Sequence, residues 1–127
     1  MEALHVLVCV TGQKTCEKLI TEGHRIAGEQ GAELSVVHVA RQGAGLLGGD
    51  IAEAEALEYL FKISSEHGAD MTVIRSNEAV ETLAAHARKV RATTMVLGAP
   101  RKTRRDFARD LREHIPEIEF QTVCTEE

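Results

Sequence analysis

The sequence predicts an α/β fold, a five-stranded parallel sheet with helices on both faces. Three observations carry that prediction. Apolar runs rich in Val and Leu alternate with stretches of helical periodicity along the whole 127 residues. The first two runs show little polar alternation, which suits strands buried on both sides rather than strands with one wet face. Glycine, proline or a capping residue punctuates the boundaries between runs. Strict alternation of strand and helix calls for right-handed crossover connections, which lay helices on both faces of the sheet. No linker and no internal repeat interrupts the pattern, so residues 1–127 are expected to form one domain.

The first strand is read from Leu4 to Val10, and Gly12 permits a tight turn after it. A helix follows, with Leu19, Ile20, Gly23, Ile26 and Ala27 at three- and four-residue spacings, and Gly31 closes it. Leu34 to Val39 is the second strand. Asp50, with Glu53 three residues on, signals the start of a second helix that runs through Leu57, Leu60 and Phe61 to Gly68. Met71 to Ile74 is a short third strand. After Asn77, Val80, Leu83, Ala84, Ala87 and Val90 share one face of a third helix. Thr94 to Leu97 is a fourth strand, stopped by Gly98 and Pro100. A fourth helix is expected after Thr103, ending before Pro116. Ile118 to Val123 alternates apolar and polar, as an edge strand does.

Composition narrows the functions. Apolar residues are 43% and charged residues 28% of the chain, an ordinary globular balance. Tyr59, Phe61, Phe107 and Phe120 are the only aromatic side chains, so nucleobase stacking on aromatic platforms is not expected. The net charge of −5 argues against nucleic-acid binding. No apolar run approaches the length of a membrane span, and the start does not resemble a signal peptide. Cys9, Cys16 and Cys124 are odd in number and widely spaced, which reads as reduced thiols in a cytoplasmic protein. The six histidines show no pair with metal-ligand spacing beside a cysteine or carboxylate cluster. Neither a Ser-His-Asp or Cys-His order nor a marked carboxylate pair stands out, so an enzymatic reading has no residues to name.

In open parallel sheets, ligands sit outside the carboxyl ends of the strands, where the strand order reverses. Four segments build that edge here: the Thr11–Thr15 turn, the loop after Val39, the Arg75–Asn77 turn and the segment after Gly98. The first of them, within "VLVCVTGQKT", invites comparison with a phosphate-binding loop because it follows a strand and carries Lys14-Thr15. A P-loop needs Gly-x-x-x-x-Gly before that pair so that successive amides wrap the phosphates. Those glycine positions fall on Val8 and Gln13, so the stretch is not a P-loop. Two readings remain: a strand–helix turn in which Thr15 caps the helix, or a weak anion contact at Lys14 and the helix amides.

The combination resembles the universal stress protein family. "HVLVCVTGQKTCEKLI" is similar to its opening strand, turn and first helix, "GAELSVVHV" to its second strand, and "ATTMVLGAP" to its fourth strand and glycine. The resemblance implies strand order 3-2-1-4-5 and, often, a homodimer formed through the fifth strand. ATP-binding members carry an Asp at the end of the first strand and Gly-x2-Gly-x9-Gly-Ser/Thr after the fourth. Thr11 stands at the first of these positions here. With Gly98 as the first glycine, the remaining motif positions fall on Arg101, Leu111 and Arg112, so only Gly98 matches.

In place of the motif stands "RKTRRDFARDLR". Its six basic side chains against Asp106 and Asp110 give a local charge of +4, and the rest of the chain carries −9. This arrangement resembles the stress-protein-type domain of Kdp-type potassium-sensing histidine kinases, which in some relatives binds cyclic di-AMP. The resemblance implies attached kinase domains in a longer sensor, or a free-standing cousin. Cations at a helix start oppose the helix dipole, so Arg101 to Arg105 either await an anion or form a solvated charged face answering acidic neighbours. The glycine-rich loop "RQGAGLLGGD" is a lid over a ligand, a disordered connection, or a loop whose Leu46 and Leu47 dock on a partner. His38 either reaches the ligand edge or is a hydrogen-bonded core residue.

The expected function is a cytoplasmic regulatory or sensory module that binds a phosphate-bearing small molecule, such as ATP or cyclic di-AMP, without turnover. Thr11 and Gly12 would meet the base or sugar, Val39 and Gly98 would form pocket walls, and Arg101, Lys102, Thr103 and Arg104 would hold phosphate. The alternative is a dimerisation module of the stress response with no nucleotide.

Overall fold

Val6, Leu7, Val8, Cys9 and Val10 are each 3% exposed or less, which only a strand covered on both faces achieves. The computed structural model describes residues 4–10, 13–40, 51–98 and 107–123. Nine elements follow in order: β1 (His5–Val10), α1 (Gln13–Gln30), β2 (Glu33–Ala40), α2 (Ile51–Glu66), β3 (Asp70–Arg75), α3 (Ala79–Lys89), β4 (Thr94–Gly98), α4 (Phe107–His114) and β5 (Glu119–Val123). Each coincides with an element read from the sequence, within one or two residues at the boundaries that fall among the described residues.

The strands form one sheet in the order β3-β2-β1-β4-β5, every pair parallel. Because side chains alternate across a strand, β1 feeds two cores. Val6, Val8 and Val10 pack with Leu19, Ile20, Ile26 and Ala27 of α1 and Leu60 and Ile63 of α2. Leu7 and Cys9 point the other way, to Leu83, Ala84 and Ala87 of α3 and Leu111 and Ile115 of α4. Two helices therefore cover each face. Phe120 of β5 is half-buried against one core and Val123 against the other, while Glu119, Gln121 and Thr122 are exposed, so the alternation read from the sequence holds only from Ile118 to Gln121.

Helix α1 lies close on β1 because Gly23 faces the sheet: a Cβ there would overlap Val8 Cγ2 and meet Leu34 Cδ1 at 3.4 Å. On its outer side, Arg25 bonds both Glu22 and Glu29. The Arg25 hydrogen bond, first among the causes, holds the Glu22 carboxyl below its usual range. This pairing is exposed and adds little to stability.

Helices α1, α2 and α3 end in the same six-residue turn. Ala32 N–H donates to Ala27 O at 2.8 Å, Ala69 to Ser64 O at 2.9 Å and Ala92 to Ala87 O at 2.9 Å. The turn needs one left-handed residue. Gly31 (φ 64°) and Gly68 (φ 68°) supply it in the first two, Arg91 (φ 59°) in the third. One expectation fails in α1, which is already helical at Gln13, two residues before Thr15. Thr15 therefore lies within the first turn and is not the cap.

Candidate functional site

The strand registers place one row of residues across the carboxyl edge of the sheet. Val10 pairs with His38 on β2, which pairs with Val73 on β3. On the other side Val8 pairs with Val96, so Val10 lies level with Gly98, which pairs with Val123 of β5. The strand order reverses between β1 and β4, so Val10 and Gly98 flank the switch point where such sheets bind ligands. Val10, His38 and Gly98 share the face covered by α1 and α2, by alternation from Val8, Val36 and Val96 of that core. Gly98 puts no side chain there, beside a Val10 that is itself buried.

His38 is tied into this row. Its Nδ1 lies 2.9 Å from Val10 O, and since a carbonyl only accepts, Nδ1–H donates. The ring is half-buried. Both sequence readings of His38 thus hold together: it is hydrogen-bonded, and it stands at the carboxyl edge. Val39 is half-buried with the opposite core, beside Ile74, so its side chain is on the other face from His38 and Gly98. Thr11, Gly12, Arg101, Lys102, Thr103 and Arg104 lie outside the described residues, as do Arg41 to Asp50.

The turn after β3 completes the described part of this edge. The sequence put the start of α3 after Asn77; the structure shows that Ser76 organises it. Ser76 Oγ accepts from Glu78 N–H at 3.0 Å and from Thr82 Oγ1 at 2.7 Å. A hydroxyl two residues ahead of the cap residue Glu78 was the available signal. A hydrogen bond with Glu81, and then the repulsion between the two carboxylates, raises the Glu78 pKa.

Two open cavities lie at the opposite, amino edge. The larger, about 900 Å³, is bordered by His5, Glu33, Arg88, Arg91, Thr93 and Glu117. Most of its polar groups already serve the fold. Arg88 Nε is 3.2 Å from Glu117 Oε2, and Arg88 Nη2 donates to His114 O at 2.7 Å. The His5 ring lies 2.6 Å from Ser35 Oγ and 3.5 Å from Glu33 Oε2, and His5 O accepts from Thr93 N–H at 2.8 Å. The smaller, about 510 Å³, contains His24 and His67, whose rings meet edge to face 5.2 Å apart. Topology favours the carboxyl edge, and the polar groups bordering these grooves are largely paired among themselves.

The remaining candidates are quickly placed. Burial pushes the Cys9 thiol far up, so it is a small apolar filler without thiolate character. Among the described residues no group of three or more His, Cys, Asp or Glu is placed to hold a metal ion. Arg112, exposed on α4, lies over Phe120 with Cζ 5.5 Å from the ring centroid. No helix among the described residues is long and apolar enough to cross a membrane.

Residues 3–112 match the model of the universal stress protein family. The chain belongs to that family. Over 99 residues it is 36% identical to the sensor protein KdpD of Mycobacterium tuberculosis, a match covering 78% of this chain and 11% of that protein. The chain thus spans a small fraction of the length of this curated relative. A universal stress protein in complex with cAMP superposes with a TM-score of 0.72 at 16% identity, covering 99% of this chain and 100% of the other. The universal stress protein of Archaeoglobus fulgidus in complex with dAMP superposes with a TM-score of 0.64 at 23% identity, covering 98% of each chain. Both likenesses bear out the fold, including the strand order that the resemblance implied.

Proposed function

We propose that this protein is a regulatory module of one domain that binds an adenine nucleotide at the carboxyl edge of its sheet without turning it over. The observation that carries the reading is Gly98. It ends β4 level with the last residue of β1, at the point where the strand order reverses, and the basic run from Arg101 follows within three residues of it. A glycine puts no side chain at that corner, and guanidinium groups suit phosphate oxygens. The cAMP and dAMP complexes of the two structural neighbours support an adenine nucleotide as the class, with ATP and cyclic di-AMP among the candidates. The match to KdpD supports a sensory role, in which nucleotide occupancy would be passed to attached kinase domains of a potassium- or osmosensing histidine kinase in the cytoplasm. Thr11 and Gly12 would meet the base or sugar, the backbone at Val39 and Gly98 the pocket wall, and Arg101, Lys102, Thr103 and Arg104 the phosphate.

The test is thermal unfolding with AMP, ATP and cyclic di-AMP at millimolar concentration. A ligand at a hundred times its Kd stabilises by about 2.7 kcal/mol, which raises the Tm of a domain this size by several degrees. Arg101→Ala with Arg104→Ala is expected to abolish the rise. An unchanged rise in that double variant would remove phosphate binding from the basic run. A second reading has its own observation: β5 is an exposed edge strand, suited to pairing with a second copy of this chain. In that reading the protein is a dimerisation module, and no nucleotide moves its Tm.

A further inference from the structure

Resting on the reading that the carboxyl edge takes an adenine nucleotide, we infer that His38 selects the base: its Nε2 accepts a hydrogen bond from the exocyclic amine of adenine. The donor bond from Nδ1 to Val10 O fixes where the ring proton sits. A neutral imidazole protonated on Nδ1 carries a lone pair on Nε2 and nothing to donate there. No described residue bonds that nitrogen, although the ring is half-buried. A ring nitrogen at the carboxyl edge with an acceptor lone pair is a place for a ligand's donor.

Position and sign agree with an amine. His38 stands level with the last residue of β1 and on the same face as Gly98, with Val10 between them. Two strand spacings, roughly 9–10 Å, separate His38 from Gly98. The base therefore lies over β2 and the phosphate over β4, where the chain leads into the basic run. Among the described residues, the Glu78 and Glu81 carboxylates near this edge belong to the start of α3, the helix that covers the opposite face. A base with a carbonyl oxygen in place of the amine would set two lone pairs against each other, so hypoxanthine is rejected.

Calorimetric titration of the wild type and His38→Asn with AMP and with IMP tests this. IMP has a carbonyl oxygen where AMP has the amine. The asparagine amide can still donate to Val10 O while the Nε2 acceptor is gone. The wild type is expected to prefer AMP, and His38→Asn to lose roughly five- to tenfold in AMP affinity while IMP, relieved of the opposed lone pair, binds more tightly than to the wild type. If the variant keeps the wild-type preference, or the wild type binds both equally, the base-reading role is overturned while nucleotide binding stands. If the wild type binds neither, the nucleotide site itself fails and His38 with it. Should the variant not fold, the ring nitrogens of wild-type His38, observed by nitrogen NMR, decide: Nε2 moves with AMP and stays with IMP, or the inference is wrong.

Discussion

At Gly23 the absence of a side chain sets how closely α1 approaches the sheet. A methyl there would enter the space of Val8, a central-strand residue with no exposed surface and no room to yield. Gly23→Ala should therefore destabilise by about 1–3 kcal/mol despite the better helix propensity of alanine, as denaturant unfolding would show. His86 carries the clearest acid sensitivity among the described histidines. Burial first, then the nearby Lys89 and His5 charges, lowers its pKa. In the unfolded chain His86 titrates near its ordinary value of about 6.5 and binds more protons than in the fold just below it. Stability is therefore expected to fall as pH drops through about 6.5 and to level off below the lowered folded value. His86→Gln should flatten that part of a Tm–pH profile, and an unaltered slope would assign it to other groups.

At the scale of elements, the three shared helix ends offer a direct comparison. Gly31 and Gly68 adopt the left-handed conformation without a Cβ, whereas Arg91 adopts it with one. Arg91→Gly is expected to stabilise by about 0.5–1 kcal/mol, because relief of the strain outweighs the greater freedom of glycine in the unfolded chain. Urea unfolding midpoints of the two proteins check this. The same comparison shows what sequence could and could not reveal. Gly31 and Gly68 were visible as helix stops because glycine is the residue such turns favour, while the stop at Arg91 has no residue-type signal. The strands were visible because Val- and Leu-rich runs have no other use at that length. The cap of α1 was misplaced because a Thr is a cap only if the helix starts after it, and the start is set by how quickly the chain leaves β1. The pairing of His38 with Val10 O could not be seen at all, since it joins residues 28 apart through strand register.

At the scale of the molecule, strand order and layer assignment turn separate segments into one edge. Val10, His38 and Gly98 are distant in sequence and adjacent in the sheet, on the face of α1 and α2. At the amino edge, polar groups of the described residues pair among themselves, such as Arg88 with Glu117 and His5 with Ser35. That contrast makes the two edges distinguishable in solution. The most direct measurement is an amide NMR titration of the protein with ATP. Binding at the carboxyl edge predicts shifts at Val10, Val39 and Gly98, with Glu33, Ala92 and Thr93 unmoved. Shifts confined to Glu33, Ala92 and Thr93, or none at millimolar ATP, AMP and cyclic di-AMP, would contradict the account.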